Sequence, residues 1–135
     1  MIRRVMLLML MLTTSAALGC RGVKPVVGGT EGILRVDDEY VSDIQVTVHE
    51  VDGSSFQAIG FGVTDNDGIF RLVTNGANGP LTLPPGDYRC TVESVGAPIQ
   101  FPTEYAQAKS TPLKISWSGE DRELELKVTG ATPVK

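Results

Sequence analysis

The sequence predicts an all-β protein, a seven-stranded antiparallel sandwich preceded by a signal peptide. Apolar and polar residues alternate with period two through most of the chain after residue 30, which is typical of half-buried strands. Turn-forming groups of Gly, Asp and Pro recur about every 8 to 12 residues or slightly more, a spacing typical of sandwiches. No window of a dozen residues after the signal segment keeps the three-to-four spacing of a helix.

The first 19 residues have the three zones of a secretory signal: a positive start (MIRR), an apolar run (VMLLMLML) and a small, weakly polar tail (TTSAALG). The apolar run is far shorter than the roughly 20 residues that a membrane-spanning helix needs. The final ALGC, residues 17–20, resembles the lipobox of bacterial lipoproteins. This resemblance implies cleavage between Gly19 and Cys20, a diacylglyceryl group on the Cys20 sulfur and acylation of the new amino terminus.

A lipid on Cys20 predicts where the protein resides. Burial of each methylene stabilises attachment by about 0.8 kcal/mol, and two or more acyl chains hold a protein firmly on a membrane. We therefore expect a lipid-anchored protein of the cell envelope. Residue 21 is Arg rather than Asp, which by analogy with known sorting favours the outer membrane. Residues 20–29 hold a proline and three glycines without periodicity and predict a flexible tether.

Seven stretches after the tether show strand alternation. In four of them, DIQVTVHEV, DYRCTVE, PLKISWS and RELELKV, the apolar residues fall on one face and the polar residues on the other. Three weaker stretches are GILRVD, QAIGFGVT and IFRLVT. The second of these is centred on Ile59, Phe61 and Val63. Two sheets that pack these apolar faces together form the predicted sandwich.

Three phrases carry a family resemblance: TDNDGIFRLVT, LPPGDYRCTVE and TPLKISWSGEDRELELKV, which begin at Thr64, Leu83 and Thr111. Together they resemble the carboxypeptidase-regulatory-like, or transthyretin-like, β-sandwich family as it occurs in small bacterial lipoproteins. The resemblance implies a Greek-key sandwich of the prealbumin or immunoglobulin-like type. We assign this domain to residues 30–130 and a short tail to residues 131–135.

The turn DNDG is the first candidate for a ligand site. Asp65 and Asp67 stand at alternate positions before Gly68, as in a calcium loop, but an EF-hand register puts Val63 and Thr74 where acidic ligands are needed. The EF-hand is therefore excluded. The favoured interpretation is a hairpin turn whose aspartates accept backbone N–H groups and whose glycine takes a positive φ. A looser cation site at the two aspartates remains open.

The single histidine and the second cysteine offer little catalytic chemistry. His49 falls on the outward face of a strand, and neither a GxSxG elbow nor a zinc-ligand pattern accompanies it. Cys90 alternates with Tyr88 and Val92, which predicts a small buried core residue rather than a reactive thiol. The Tyr88 hydroxyl then needs a hydrogen-bond partner. With Cys20 lipidated, Cys90 has no disulfide partner in the chain.

Aromatic side chains are the candidates for recognition. The spacing of Trp117 with Leu113 and Ile115 favours the core over a carbohydrate-stacking platform. Tyr40, Phe101 and Tyr105 fall in predicted loops and are expected to be exposed. The last two are therefore the side chains that we would test for glycan binding.

Charge and the lack of a catalytic motif narrow the function. Two of the 12 Lys and Arg lie in the signal segment, so the remaining chain carries a net charge of −6 rather than −4 and is unsuited to nucleic acid. The sequence predicts a non-catalytic envelope module with a binding or structural role, without metal or cofactor, whose partner is an envelope protein or glycan. The alternative is a carbohydrate- or peptide-binding domain. A transthyretin-like hydrolase is less favoured, because that activity relies on several histidines.

Overall fold

A computed structural model describes residues 28–120 and 123–134 of the 135-residue chain. The predicted signal peptide, the cleavage site at Gly19 and Cys20 and most of the tether lie outside the described residues. Within the described residues the prediction of an all-β fold is confirmed: they form strands and one short 3-10 turn, Thr103–Ala106. None of their helical segments is long and apolar enough to cross a membrane.

Ten strands are present in this part of the chain. They are β1 (Glu31–Val36), β2 (Ile44–Asp52), β3 (Ser55–Val63), β4 (Ile69–Arg71), β5 (Val73–Thr74), β6 (Gly86–Ser94), β7 (Ile99–Gln100), β8 (Lys114–Trp117), β9 (Leu124–Val128) and β10 (Thr132–Pro133). A five-stranded sheet has the order β5-β3-β2-β6-β8, a three-stranded sheet the order β4-β1-β9, and β7 pairs with β10. Each predicted stretch contains a strand, while β7 and β10 were not predicted.

The two larger sheets contribute to one hydrophobic core. The four stretches with strict alternation bury the apolar side chains that the period-two pattern selects, because successive side chains of a strand point to opposite faces. Ile115 is half-buried and packs against the same core. The fully or nearly fully buried members from these stretches are Ile44, Val46, Val48, Tyr88, Cys90, Val92, Leu113, Trp117, Leu124, Leu126 and Val128.

One strand pair departs from the predicted antiparallel arrangement. β1 and β9 run parallel, with Gly32 opposite Leu124 and Val36 opposite Val128. Every other strand pair formed by the described residues is antiparallel. Parallel neighbours need a long crossover, and here most of the domain lies between the two strands. Alternation could not predict this parallel pair, because a strand shows the same period of two whether its neighbour runs parallel or antiparallel to it.

The stretch from residue 69 to 74 serves both large sheets. β4 pairs with β1 in the three-stranded sheet and β5 pairs with β3 in the five-stranded sheet. Between them Leu72 is fully buried; its N–H donates to the Thr30 carbonyl at 2.9 Å and its carbonyl accepts from the Leu81 N–H at 2.9 Å. A Cβ on Gly60 of β3 would lie 2.3 Å from a backbone oxygen of β5. Only glycine permits this close approach.

An irregularity in β3 changes which face its side chains take. The register between β2 and β3 shifts at Ile59, which leaves that residue without a cross-strand partner. Ile59 still packs against the core, whereas Gly60 and Gly62 are the next buried positions. Phe61 and Val63 therefore point away from the core rather than continuing the inward row. An extra residue in one strand disrupts the alternation in this way.

Candidate functional site

The turn at residues 65–68 is compact, but the prediction of a hairpin was wrong: it joins β3 to β4, which pair with different strands in different sheets. Asp65 Oδ1 accepts hydrogen bonds from the N–H groups of Asp67 at 2.8 Å and Ile69 at 3.0 Å, and Gly68 has a φ of +73°. Of the two aspartates, Asp65 is the one whose side chain accepts these backbone N–H groups, whereas Asp67 contributes its backbone N–H to the turn. No group of three or more His, Cys, Asp or Glu residues suited to a metal ion occurs in the described part of the chain.

His49 lies on the outward face of β2, as predicted. Its Nε2 is 3.0 Å from the Thr91 hydroxyl on β6, and burial lowers the pKa of the imidazole. Burial therefore favours the neutral form of the ring. Thr91 is only 9 % exposed, so a substrate has little access to the hydroxyl that His49 contacts. This geometry is typical of a structural hydrogen bond between neighbouring strands.

The residues predicted to be buried are in the core. Cys90 is fully buried, and burial raises the pKa of its thiol to about 12. Trp117 is 8 % exposed and its Nε1 donates to the Leu83 carbonyl at 3.1 Å. The Tyr88 hydroxyl donates to the Pro84 carbonyl at 2.5 Å. None of the three side chains offers a reactive or stacking surface.

The three loop aromatics do not form a common site. Tyr40 is 49 % exposed, as predicted, and its ring centroid lies 5.6 Å from Arg35 Cζ. Phe101 is half-buried against the core. The prediction of an exposed Tyr105 was wrong: this side chain is 5 % exposed, and its hydroxyl accepts from the Thr129 N–H at 3.4 Å. The 3-10 turn directs Tyr105 into the core instead.

The solvent-facing side of the five-stranded sheet carries polar and aromatic side chains together. We call it the outer face and define it by Gln45, Thr47, His49, Phe56, Phe61, Arg89, Thr91 and Glu93. The Gln45 amide donates to Glu93 Oε1 at 3.2 Å, and Arg89 Cζ lies 5.2 Å from the Phe56 ring centroid. Phe61 was expected in an inward row, and Phe56 was not predicted at this surface; the inward Gly60 and Gly62 that flank Phe61 were the available indication.

A second surface feature is the side of the sandwich where the free edges of the two sheets approach each other. We call it the seam; it lies between β9 on one sheet and β6 with β8 on the other. One half of the seam is closed by Tyr105. The other half is an open groove of about 580 Å³. The groove is lined by Lys114, Ile115, Ser116, Trp117, Glu123, Leu124 and Glu125.

Backbone hydrogen bonds define which side of β9 is free. The Val128 carbonyl accepts from the Asp37 N–H at 2.8 Å on the β1 side, whereas the Thr129 N–H donates to Tyr105 on the seam side. Backbone groups of successive strand residues point to opposite sides. The N–H and C=O groups of Glu125 and Lys127 therefore point toward the seam.

Comparisons with known proteins do not identify a function for these surfaces. No protein-family model, curated protein or solved structure matches this chain. The likeness to the carboxypeptidase-regulatory-like family, drawn from three phrases, therefore stays a prediction.

Proposed function

We propose that the protein is a lipid-anchored, non-catalytic module of the cell envelope, with a binding or structural role. The observation that carries this proposal is the ALGC motif directly behind a positive, then apolar, then small-residue segment. The burial of Cys90 supports it. The chain has two cysteines, and a thiol with no exposed surface is a poor disulfide partner for Cys20.

The proposal of a non-catalytic role rests on the surroundings of the candidate residues. His49 is the chain's only histidine, and its ring contacts a nearly buried threonine. Cys90 is protonated and inaccessible. A hydrolase needs a nucleophile or activated water beside a base, with room for substrate. Turnover of a ureide by the pure protein would contradict this part of the proposal.

Detergent phase partitioning tests the anchor. The native chain, expressed in a bacterial host that processes lipoproteins, should enter the detergent phase and show an intact mass that includes the diacylglyceryl and acyl groups. Cys20→Ser should keep its signal segment uncut and show an intact mass without the diacylglyceryl and acyl groups. Cys90→Ala is the matched control and should partition like the native chain. An aqueous native protein with an unmodified Cys20 would refute the proposal.

The outer face favours carbohydrate binding as a second candidate function. It combines aromatic rings, Phe56 and Phe61, with the amide, carboxylate and guanidinium groups of Gln45, Glu93 and Arg89. Sugars are bound by ring stacking together with polar groups that fix their orientation. Phe61→Ala should abolish binding on a glycan array, and Tyr40→Ala, at an exposed position elsewhere, should preserve it. Unchanged binding in Phe61→Ala, or no bound glycan, would contradict this function.

We further infer that the domain is a seven-stranded Greek-key sandwich preceded by a signal peptide and related to the carboxypeptidase-regulatory-like family. Seven of the ten strands have three residues or more, and these seven lie in the seven predicted stretches. The joint contribution of the two larger sheets to one core also supports this interpretation.

A further inference from the structure

The free edge of β9 has backbone groups available for a further strand. β9 is the last strand of its sheet among the described residues, and the N–H and C=O groups of Glu125 and Lys127 point toward the open half of the seam. A row of such groups is a template for pairing with another chain. Toward the C-terminus this row ends at Thr129, whose N–H already donates to Tyr105.

The side chains along the β9 edge of one copy are complementary to those along the β9 edge of a second copy. Glu125 and Lys127 are exposed and flank the buried Leu126 symmetrically in the sequence LELKV. If two copies of β9 pair antiparallel with Leu126 opposite Leu126, each Glu125 lies opposite Lys127 of the second copy. Opposite charges in directly opposed positions stabilise a strand pair.

Other registers are less favourable on physical grounds. A shift that centres the pair on Glu125 or on Lys127 places two like charges directly opposite each other, which is destabilising. A shift by a single residue sets the buried apolar row of one copy against the charged row of the other. The charges and the pleat therefore select one register. This register has the two-fold symmetry of an isologous dimer.

We propose that the protein self-associates through β9, with two copies pairing antiparallel about Leu126 to form a continuous six-stranded sheet from two three-stranded sheets. The N–H and C=O groups of Glu125 bond to those of Lys127 of the second copy, and the reverse pair follows by symmetry. The paired segment is short, because Tyr105 occupies the edge at Thr129. The association is accordingly weak and concentration-dependent. It is independent of the proposed lipid anchor.

Charge reversal tests the register directly. Glu125→Lys places Lys opposite Lys, and Lys127→Glu places Glu opposite Glu, in both symmetry-related pairs. Each single variant should lower the dimer association constant about tenfold, and the double variant, Glu125→Lys with Lys127→Glu, should restore it. Sedimentation of the full chain in density-matched detergent across a concentration series measures this. Lys114→Glu, on the opposite lip of the groove, is the control and should leave the constant unchanged.

Two further measurements distinguish this dimer from other arrangements. Glu125→Pro removes the N–H that points to the free edge and leaves the bonds to β1 in place, so this variant should be folded and monomeric.

Crosslinking tests the pairing of the two charges. In a mixture of ¹⁵N-labelled and unlabelled native chains, a carbodiimide should join the Glu125 carboxylate to the Lys127 amine of the other isotopic species, with an amide formed and water taken up by the reagent. A monomeric native chain at every concentration, or a double variant no better than the singles, would overturn the proposal. Capture of a foreign peptide without self-association would do the same.

Discussion

The two halves of the seam have the same arrangement of sheet edges but differ in what lies between those edges. In both halves an edge of the three-stranded sheet approaches an edge of the five-stranded sheet. Tyr105 fills the first half from a single 3-10 turn, and its hydroxyl accepts from the strand edge at Thr129. The second half remains a groove of about 580 Å³ with charged side chains on its lips.

The contrast shows two ways in which a sandwich protects its edges. A buried aromatic ring excludes water and contributes core packing, so it stabilises the monomer. Charged edge residues such as Glu125 and Lys127 contribute little to the monomer, but they discourage pairing in every register except a complementary one. The closed half of the seam therefore serves stability, and the open half is free for association.

Opening the closed half should have the largest effect. Tyr105→Ala removes a ring that is 5 % exposed, and it should lower the free energy of unfolding by about 3 kcal/mol through lost burial and the cavity left behind. Urea unfolding followed by circular dichroism measures the change.

Two matched variants show how much of this stability comes from the Tyr105 hydroxyl and how much a tyrosine at an exposed position contributes. Tyr105→Phe keeps the ring and loses the acceptor for the Thr129 N–H, which should cost about 1 kcal/mol. Tyr40→Ala, at a side chain 49 % exposed, should change stability by less than about 0.5 kcal/mol. Equal effects of Tyr105→Ala and Tyr40→Ala would show that the seam is not closed by Tyr105.

Removing one buried hydroxyl beside β6 should have an intermediate effect. Thr111 is fully buried; its Oγ1 donates to the Cys90 carbonyl at 2.7 Å and accepts from the Leu113 N–H at 3.2 Å. Thr111→Val leaves both backbone groups unsatisfied and should cost about 2 kcal/mol. Thr103→Val, at an exposed position, is the control for thermal denaturation. A Thr111→Val protein as stable as the control would contradict the assignment.

The effect that is smallest at neutral pH is a pH dependence, which develops only in alkaline solution. Burial raises the pKa of the Cys90 thiol from 9.0 to about 12, so the unfolded chain loses this proton first as the pH rises. Cys90 thus contributes stability that is fully present below about pH 9 and is lost between about pH 9 and 12, by up to about 1.4 kcal/mol per pH unit. Cys90→Ala should show a shallower decline in this window. Parallel stability curves for the two proteins would exclude this role.

Local alternation was sufficient to predict much of the fold and little of the seam. The strict alternation of β2, β6 and β9 identifies their inward faces, because the pleat is a property of a few consecutive residues. The parallel pairing of β1 with β9 joins segments about 90 residues apart and leaves no mark on either segment. The seam could not be predicted for the same reason. The alternation of LELKV is visible in the sequence, but the position of this strand at a free edge depends on segments distant in sequence.

Aromatic side chains were the hardest to place for a related reason. Residues 101–110 have no periodicity, so Tyr105 was expected in solvent although the gap between the sheets buries it. Phe61 was expected within an inward row, but the irregularity at Ile59 and the chain crossing above Gly60 direct it outward. In each case a neighbour distant in sequence decides the exposure of the side chain.

The passage of residues 69–74 from one sheet to the other has a consequence for how the domain unfolds. Because β4 and β5 are separated only by Leu72, neither sheet can lose its strand without disturbing the other. The slowest-exchanging amides of both sheets should therefore open in one cooperative event, and the domain should melt as a single unit. Such coupling keeps rare any partly separated sheet whose long bare edges could aggregate.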